Sequence, residues 1–362
     1  MKLGYFAMPL HPPGSDFTEN IHADLDQIVE LDRLGFQEAW IGEHYTMAWE
    51  PIPSPDLFIA MALARTENIV LGTGVSCLPN HNPFQLAHRI AQLDHMAKGR
   101  FMWGIGPGAS PPDSVSFGID AEAGDHRKFA RLAVDAVIGI WAGLPPGDYS
   151  NEFWTFHIPE PDPELGFGIH LFPLQKPHPP IAVAGLSARS ETLVVAGERG
   201  WIPMSINHVP ARTLISHWEA MEEGASRSGA QIDRSMWRIA RDVFIAPTIE
   251  EARTEALDPD GVLARDFRGY IYPVLSKFNY LDILKVDPEM PDEEVTLEYM
   301  VDNIWLIGSP ADVEEKIRSI YDQVGGFGVL MSMHHDWIPK DKWLRSTRLL
   351  AEEVLPKIGD LC

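Results

Sequence analysis

The sequence predicts an α/β fold, a (β/α)8 barrel with loop insertions. Three observations carry the prediction: eight near-continuous apolar runs, helical periodicity between them, and a repeated junction in which a helical pattern ends in glycine and passes straight into the next apolar run. The junctions are DRLGFQEAWIG around Gly35, MAKGRFMWGIG around Gly99, AGERGWIPMSI around Gly200 and QVGGFGVLMSM around Gly325. A glycine just past a helix supplies the left-handed turn that other residues resist, and such a loop leads into a parallel strand. Runs that are apolar at every position, and do not alternate, read as strands buried on both faces. An open doubly wound sheet shares this local pattern, and the strand count alone does not exclude it.

The first strand is KLGYFA at 2–7. In the following IHADLDQIVELDRL, Ile21, Leu25, Ile28 and Leu31 recur at spacings of three and four, one face of a helix. Further strands are EAWIG (38–42), IVLGTGV (69–75), FMWGIG (101–106), PIAVAG (180–185), WIPMSI (201–206), RIARDVFIA (238–246) and FGVLMSM (327–333). Ahead of the last, SPADVEEKIRSIY offers Ser309 as an N-cap, Pro310 at the first helical position and acids in the first turn. A barrel of this kind takes about 250 residues, and the chain has 362. The excess falls at about 107–124, 143–179 and 257–308, segments rich in Pro, Gly, Asp and aromatics. These are read as elaborated loops on one domain spanning 1–362, and no solenoid repeat is evident.

Bulk properties remove several classes of function. There are 52 acidic against 29 basic residues, a net charge of −23, which disfavours a nucleic-acid partner. The two cysteines, Cys77 and Cys362, make neither a ligand cluster nor a disulfide framework. The N-terminus MKLGYFAMPLHPP does not read as a signal peptide, and no apolar run is long enough to span a membrane, so the expected compartment is the cytoplasm.

In a barrel the active site gathers where the strands end. Those ends are Ala7-Met8-Pro9, Glu43-His44, Gly74-Val75-Ser76, Gly106-Pro107-Gly108, Gly185-Leu186-Ser187, Ser205-Ile206-Asn207 and Met333-His334-His335. The rim is mostly small and apolar. It lacks the converging His and Asp residues of a metal-dependent hydrolase, and no metal is expected. GIGPGA (104–109) misses the dinucleotide fingerprint, and serves equally well for close backbone packing. Ser187, Arg189 and Ser190 precede an apolar-periodic helix, an arrangement that suits a phosphate or an ordinary serine cap. His44 reads as a hydrogen-bonded strand-end histidine or a catalytic one. Glu43 either orients that ring or pairs with an arginine elsewhere. Trp49, Phe278 and Trp305 are candidate pocket walls in the elaborated loops.

WIGEH at the second strand end, LGTGVSCLPNHNPFQLAHRIAQLDHMAKGRF (71–101) and AGERG (196–200) resemble the luciferase-like flavin monooxygenases. GEHYTMAWEPIPSP, RIARDVFIAPT, KFNYLDIL and IWLIGSPADVEEKI are similar to the diketocamphane monooxygenases, the type II Baeyer–Villiger enzymes. GTGVSCLPNHNP and GPGASPPDSVSFGID are equally similar to limonene monooxygenase. The resemblance covers nearly the whole chain. It implies FMN bound at the barrel mouth as FMNH2, delivered by a separate flavin reductase that draws on NAD(P)H, and a homodimer. It implies a reaction with O2 through a C4a-peroxyflavin that oxygenates a hydrophobic molecule, a cyclic ketone or a terpene-like substrate. It places the flavin against an unusual peptide at Gly74-Val75, with Ala7, Met8, Ser76, Gly106, Pro107, Gly185, Leu186 and Ser205 around it. The phosphate falls near Ser187–Ser190, and His44, with Glu43, takes the catalytic position. Two departures stand out: Tyr45 replaces a second histidine, and Gly106-Pro107 replace a cysteine and a phosphate-binding arginine, so light emission is not expected and the phosphate needs other anchors.

Rival readings are a coenzyme F420-dependent hydride-transfer enzyme on the same fold, a non-catalytic flavin-binding protein, and a metal-dependent barrel hydrolase.

Overall fold

A computed structural model describes residues 1–206 and 208–361; Asn207, at the sixth strand end, and Cys362 lie outside the described residues. Eight parallel strands close into a barrel: β1 (Lys2–Ala7), β2 (Glu38–Ile41), β3 (Val70–Thr73), β4 (Phe101–Gly106), β5 (Ile181–Gly185), β6 (Ile202–Ser205), β7 (Arg238–Arg241) and β8 (Val329–Met333). Each pairs with its sequence neighbours, and β1 closes on β8 with Lys2 opposite Val329.

Two strands depart from expectation. The apolar run at 69–75 breaks after Thr73; the Gly74–Val75 peptide is cis, and Ser76–Cys77 resumes pairing with β4. The run at 238–246 divides at Asp242, and Val243–Ile245 leaves the barrel to pair with a strand at Leu306–Gly308. That strand lies inside the segment expected to be pure loop. The charged pair Arg241-Asp242, both residues buried, falls at the division.

Inside the barrel, alternate positions project inward. Trp40 occupies the centre, and the strands beside it carry glycine there. A Cβ on Gly72 would come within 2.5 Å of the indole, and one on Gly104 within 1.9 Å of the Thr73 carbonyl. The glycines of GIGPGA that lie in β4 thus serve close packing. The Trp40 indole N–H donates to Glu38 (2.8 Å), which the Arg238 guanidinium grips at 2.9 and 3.1 Å, closing the N-terminal end. At the opposite end Met8, Val75, Ala184 and Ile206 are half-buried and pack on this inner cluster.

The helices form where the caps predict. Helix Phe17–Arg33 is capped by Asp16 and buries Leu25, Ile28 and Leu31. Helix Pro310–Val324 has the Ser309 cap reciprocated by Asp312 and ends on left-handed Gly325. The insertions fold into specific elements: a short helix Pro111–Ser116, a hairpin pairing Gly147–Ser150 with Thr155–Ile158, and helices between 262 and 303 with their own apolar cluster around Phe267, Leu284, Met300 and Trp305.

Candidate active site

The chain leaves β2 through Gly42, whose missing Cβ makes room for the Met8 sulfur. In extended backbone the next two side chains diverge. Glu43 is buried and turns toward the third strand. It accepts from Asn80 (2.9 Å), the His81 Nε2–H (2.9 Å) and the Cys77 amide (3.3 Å). Among the described residues it makes no hydrogen bond or ion pair with His44 or with an arginine, so the expected dyad is not formed; Glu43 braces the turn at Leu78–Asn80.

His44 turns the other way, into a clamp. Its Nδ1 donates to Asp113 at 3.1 Å, and its Nε2 lies 2.9 Å from Glu50. Asp113 sits in the first turn of the Ser110-capped helix Pro111–Ser116 and also accepts the amides of Tyr45 (3.3 Å) and Thr46 (2.8 Å) and the Thr46 hydroxyl. Burial opposes charge on His44, but Glu50 and Asp113 outweigh it and push the imidazole up to about 10. Burial likewise opposes charge on Asp113, and the bonds from His44 and Thr46 hold it down at about 2. At neutral pH the ring is an imidazolium between two carboxylates.

The loop carrying Glu50 meets the last insertion. The Trp49 ring packs on Tyr270 (5.7 Å between centroids), in a π-helical turn at Phe267–Ile271. A Cβ on Gly269 would come within 2.8 Å of the Trp49 ring. Phe278 is half-buried at the end of that helical segment. Trp305 is not a pocket wall: it is 1% exposed, packed in the insertion core with its N–H toward His208 (3.3 Å).

A chain of buried charges fastens the insertion to the mouth. His335 bridges Asp242 (2.9 Å) and Asp266 (2.8 Å), Arg265 joins Asp266 to Asp336, and His11 joins Asp336 to Asp24. Burial opposes charge on both histidines, yet their carboxylates raise each to about 9. His11, Asp24 and His334 lie close enough to suit a metal ion. However, the Leu10 amide donates to His334 Nδ1, so Nε2 carries the proton given to Asp24 (2.9 Å). That nitrogen has no lone pair to offer a metal.

Other expected residues divide. Met8 and Val75 are at the mouth; a Cβ on Gly106 would strike Val75, which therefore lies flat against β4. Ser76 is buried beside them. Ala7 and Gly185 face the helical layer, Gly185 making room for Leu193. Ser205 also faces outward, fully buried between His217 (2.8 Å) and the Trp237 indole (2.9 Å). Leu186 and exposed Ser187 form the turn after β5, and the Ser190 hydroxyl bonds that of Thr192.

Beside Gly106 and Pro107 opens a small cleft of about 80 Å³ that sequence reasoning missed. It runs between helices Asp125–Trp141 and Glu191–Arg199, over Ile105, Val134, Val183 and Trp201. Arg127 and Arg131, one helical turn apart, stand on its rim opposite Glu191 and Thr192, and neither arginine has an ion-pair partner among the described residues.

A parallel barrel with an apolar mouth, a clamped histidine and an apolar cleft rimmed by two arginines defines the class, and the chain belongs to the luciferase-like monooxygenase family, whose family model matches residues 1–326. Among curated relatives, 3,6-diketocamphane 1,6-monooxygenase of Pseudomonas putida is 32% identical, over 99% of this chain and 98% of its own. Limonene 1,2-monooxygenase of Rhodococcus erythropolis is 32% identical, over 100% and 88%. The solved structure of the oxygenating constituent of 3,6-diketocamphane monooxygenase from the CAM plasmid of Pseudomonas putida, in complex with FMN, superposes with a TM-score of 0.91 over 99% of both chains at 32% identity. Among the described residues no helix is long and apolar enough to cross a membrane.

Proposed function

We propose that this protein is an FMN-dependent monooxygenase. In this reading it receives reduced FMN from a separate reductase and uses O2 to place one oxygen atom on an uncharged hydrophobic molecule. The reaction is insertion beside the carbonyl of a cyclic ketone, or epoxidation or hydroxylation of a terpene-like substrate. The observation that carries the proposal is the mouth: four strands present the half-buried apolar residues Met8, Val75, Ala184 and Ile206 at the barrel end where His44 is clamped. Full-length similarity to two oxygenases of hydrophobic ring compounds supports it.

The residues present fit FMN. The platform suits a flat ring system. Arg127 and Arg131, with the N-terminal N–H groups of helix Glu191–Arg199 and the turn at Ser187–Ser190, suit its phosphate. These arginines answer the loss of the one replaced by Gly106-Pro107. When bound, FMN supplies the oxygen-activating chemistry. The chain's own residues do the rest. Trp49, Tyr270 and Phe278 cover the mouth and exclude water. His44, held as an imidazolium, stabilises negative charge on a reacting oxygen and returns a proton to it.

A homodimer fits the helix Pro55–Leu63, which is apolar on nearly all sides yet leaves Leu57 68% and Met61 46% exposed. A monomeric wild-type mass in solution would reject it; Leu57→Glu is expected to convert a dimer to monomer.

Anaerobic titration with reduced FMN and with reduced F420 tests the cofactor, followed by oxygen and a panel of ketones and terpenes. Tight binding of reduced FMN and a mono-oxygenated product are expected. Turnover with F420 alone would overturn the proposal, and release of only hydrogen peroxide across the panel would favour a flavin-binding protein without this activity.

A further inference from the structure

Glu50 and Asp113 both hold His44, from different elements. The two carboxylates on His44 are not equivalent. Asp113 is fixed by four donors: the Tyr45 and Thr46 amides, the Thr46 hydroxyl and His44 Nδ1–H. Glu50 approaches Nε2 to 2.9 Å as an ion pair, yet its Oε2 has no hydrogen-bond partner. The Nε2–H is therefore matched to Glu50 in charge but points off the line to its oxygen, where a hydrogen bond weakens steeply. A donor in that state remains able to serve a third atom. Glu50 is 7% exposed, and the Tyr270 hydroxyl lies against it. The charged and titratable groups that face the ring are thus Asp113 from the short helix and Glu50 from the loop, with Tyr270 from the insertion behind Glu50; Glu43 faces away, onto His81.

We propose that Glu50 is a positioning residue for His44: its carboxylate keeps the ring charged without capturing the Nε2–H, so that this N–H is the one offered to a negatively charged oxygen of a bound reactant. The inference rests on the monooxygenase reading. In the step, the Nε2–H bond breaks with its electron pair remaining on nitrogen, and an O–H bond forms on the reactant. The neutral ring keeps its Nδ1–H on Asp113, Glu50 stays a carboxylate, and a solvent proton recharges Nε2. The raised His44 acidity constant agrees with this, because Glu50 is the largest of the influences that raise it.

The test uses the full chain with 15N-labelled histidine. The His44 ring, identified by its loss in His44→Asn, is titrated in flavin-free protein. Separately, the pH dependence of reoxidation of enzyme-bound reduced FMN by O2 is recorded. Glu50→Gln, which keeps the shape and removes the charge, is expected to lower the His44 midpoint by about one pH unit or more, a tenfold change. The alkaline limb of the rate profile should move with it, and Glu50→Asp should restore most of both shifts. An unchanged midpoint in a folded Glu50→Gln protein, or a moved midpoint with an unmoved limb, would overturn the proposal. Should reduced FMN fail to bind, the cofactor assignment falls, and the titration still decides whether Glu50 sets the charge on His44.

Discussion

The carboxylate of Glu43 lies 2.9 Å from His81 Nε2 and makes no contact with the imidazole of His44, its neighbour in sequence. The two residues therefore separate by experiment. Glu43→Gln leaves a buried donor set poorly matched and should cost about 3 kcal/mol of stability, as for a broken buried pair. Its pH–rate profile should keep the wild-type shape. His44→Asn should lose a factor of about 10²–10⁴ in oxygenated product, the usual contribution of a positioned proton donor. Denaturant unfolding and product yield, measured on both variants, check this; equal loss of product in the two would contradict it.

The arginine pair at the cleft predicts a selective loss. Arg127→Ala combined with Arg131→Ala removes two charge-assisted hydrogen bonds, each worth about 1.5–3 kcal/mol. FMN affinity should fall about a hundredfold or more, while riboflavin, which has no phosphate, should bind as before. Fluorescence titration with the two flavins separates these outcomes. Parallel loss of both would point to a distorted fold instead.

The buried network predicts instability in alkali. His11 and His335 rise from an ordinary 6.5 to about 9 in the folded protein. Their stabilisation is complete below pH 6.5 and is lost as pH rises through 9, because the unfolded chain has by then released the protons. A difference of 2.5 units is on the order of 3 kcal/mol for each buried group. Melting temperature should fall across that window. In His335→Gln the fall should be shallower, since only His11 and the clamped His44, raised to about 10, still lose their protons there. A melting temperature flat from pH 6.5 to 9.5 would contradict the network's charge state.

Much of the barrel was legible because each strand is buried on both faces and four of them follow a glycine that ends a helix. The division at Asp242 coincides with the charged Arg241-Asp242 pair, but the course of Val243–Ile245 depends on a remote partner, the three-residue strand Leu306–Gly308. His44 could be placed at the mouth because a strand ends there. Its partners could not. Asp113 is 69 residues away on another loop, and Glu50 lies in a proline-rich stretch without periodicity. The spacing of Arg127 and Arg131 was readable as one face of a helix, but the cleft depends on how that helix stands off the helix Glu191–Arg199, which no local pattern records. Glu43 and His44 are adjacent in sequence without sharing a partner, because consecutive side chains diverge along the chain.

On the proposed reading, this barrel transfers one atom of oxygen from O2 to a hydrophobic molecule by means of reduced FMN. Mass spectrometry of products formed under ¹⁸O₂, with chemically reduced FMN and a panel of cyclic ketones and terpenes, addresses it directly. The expected product carries a single ¹⁸O atom, with the yield collapsing in His44→Asn while FMN binding persists. Product without label, or turnover that proceeds without oxygen, would contradict that reading.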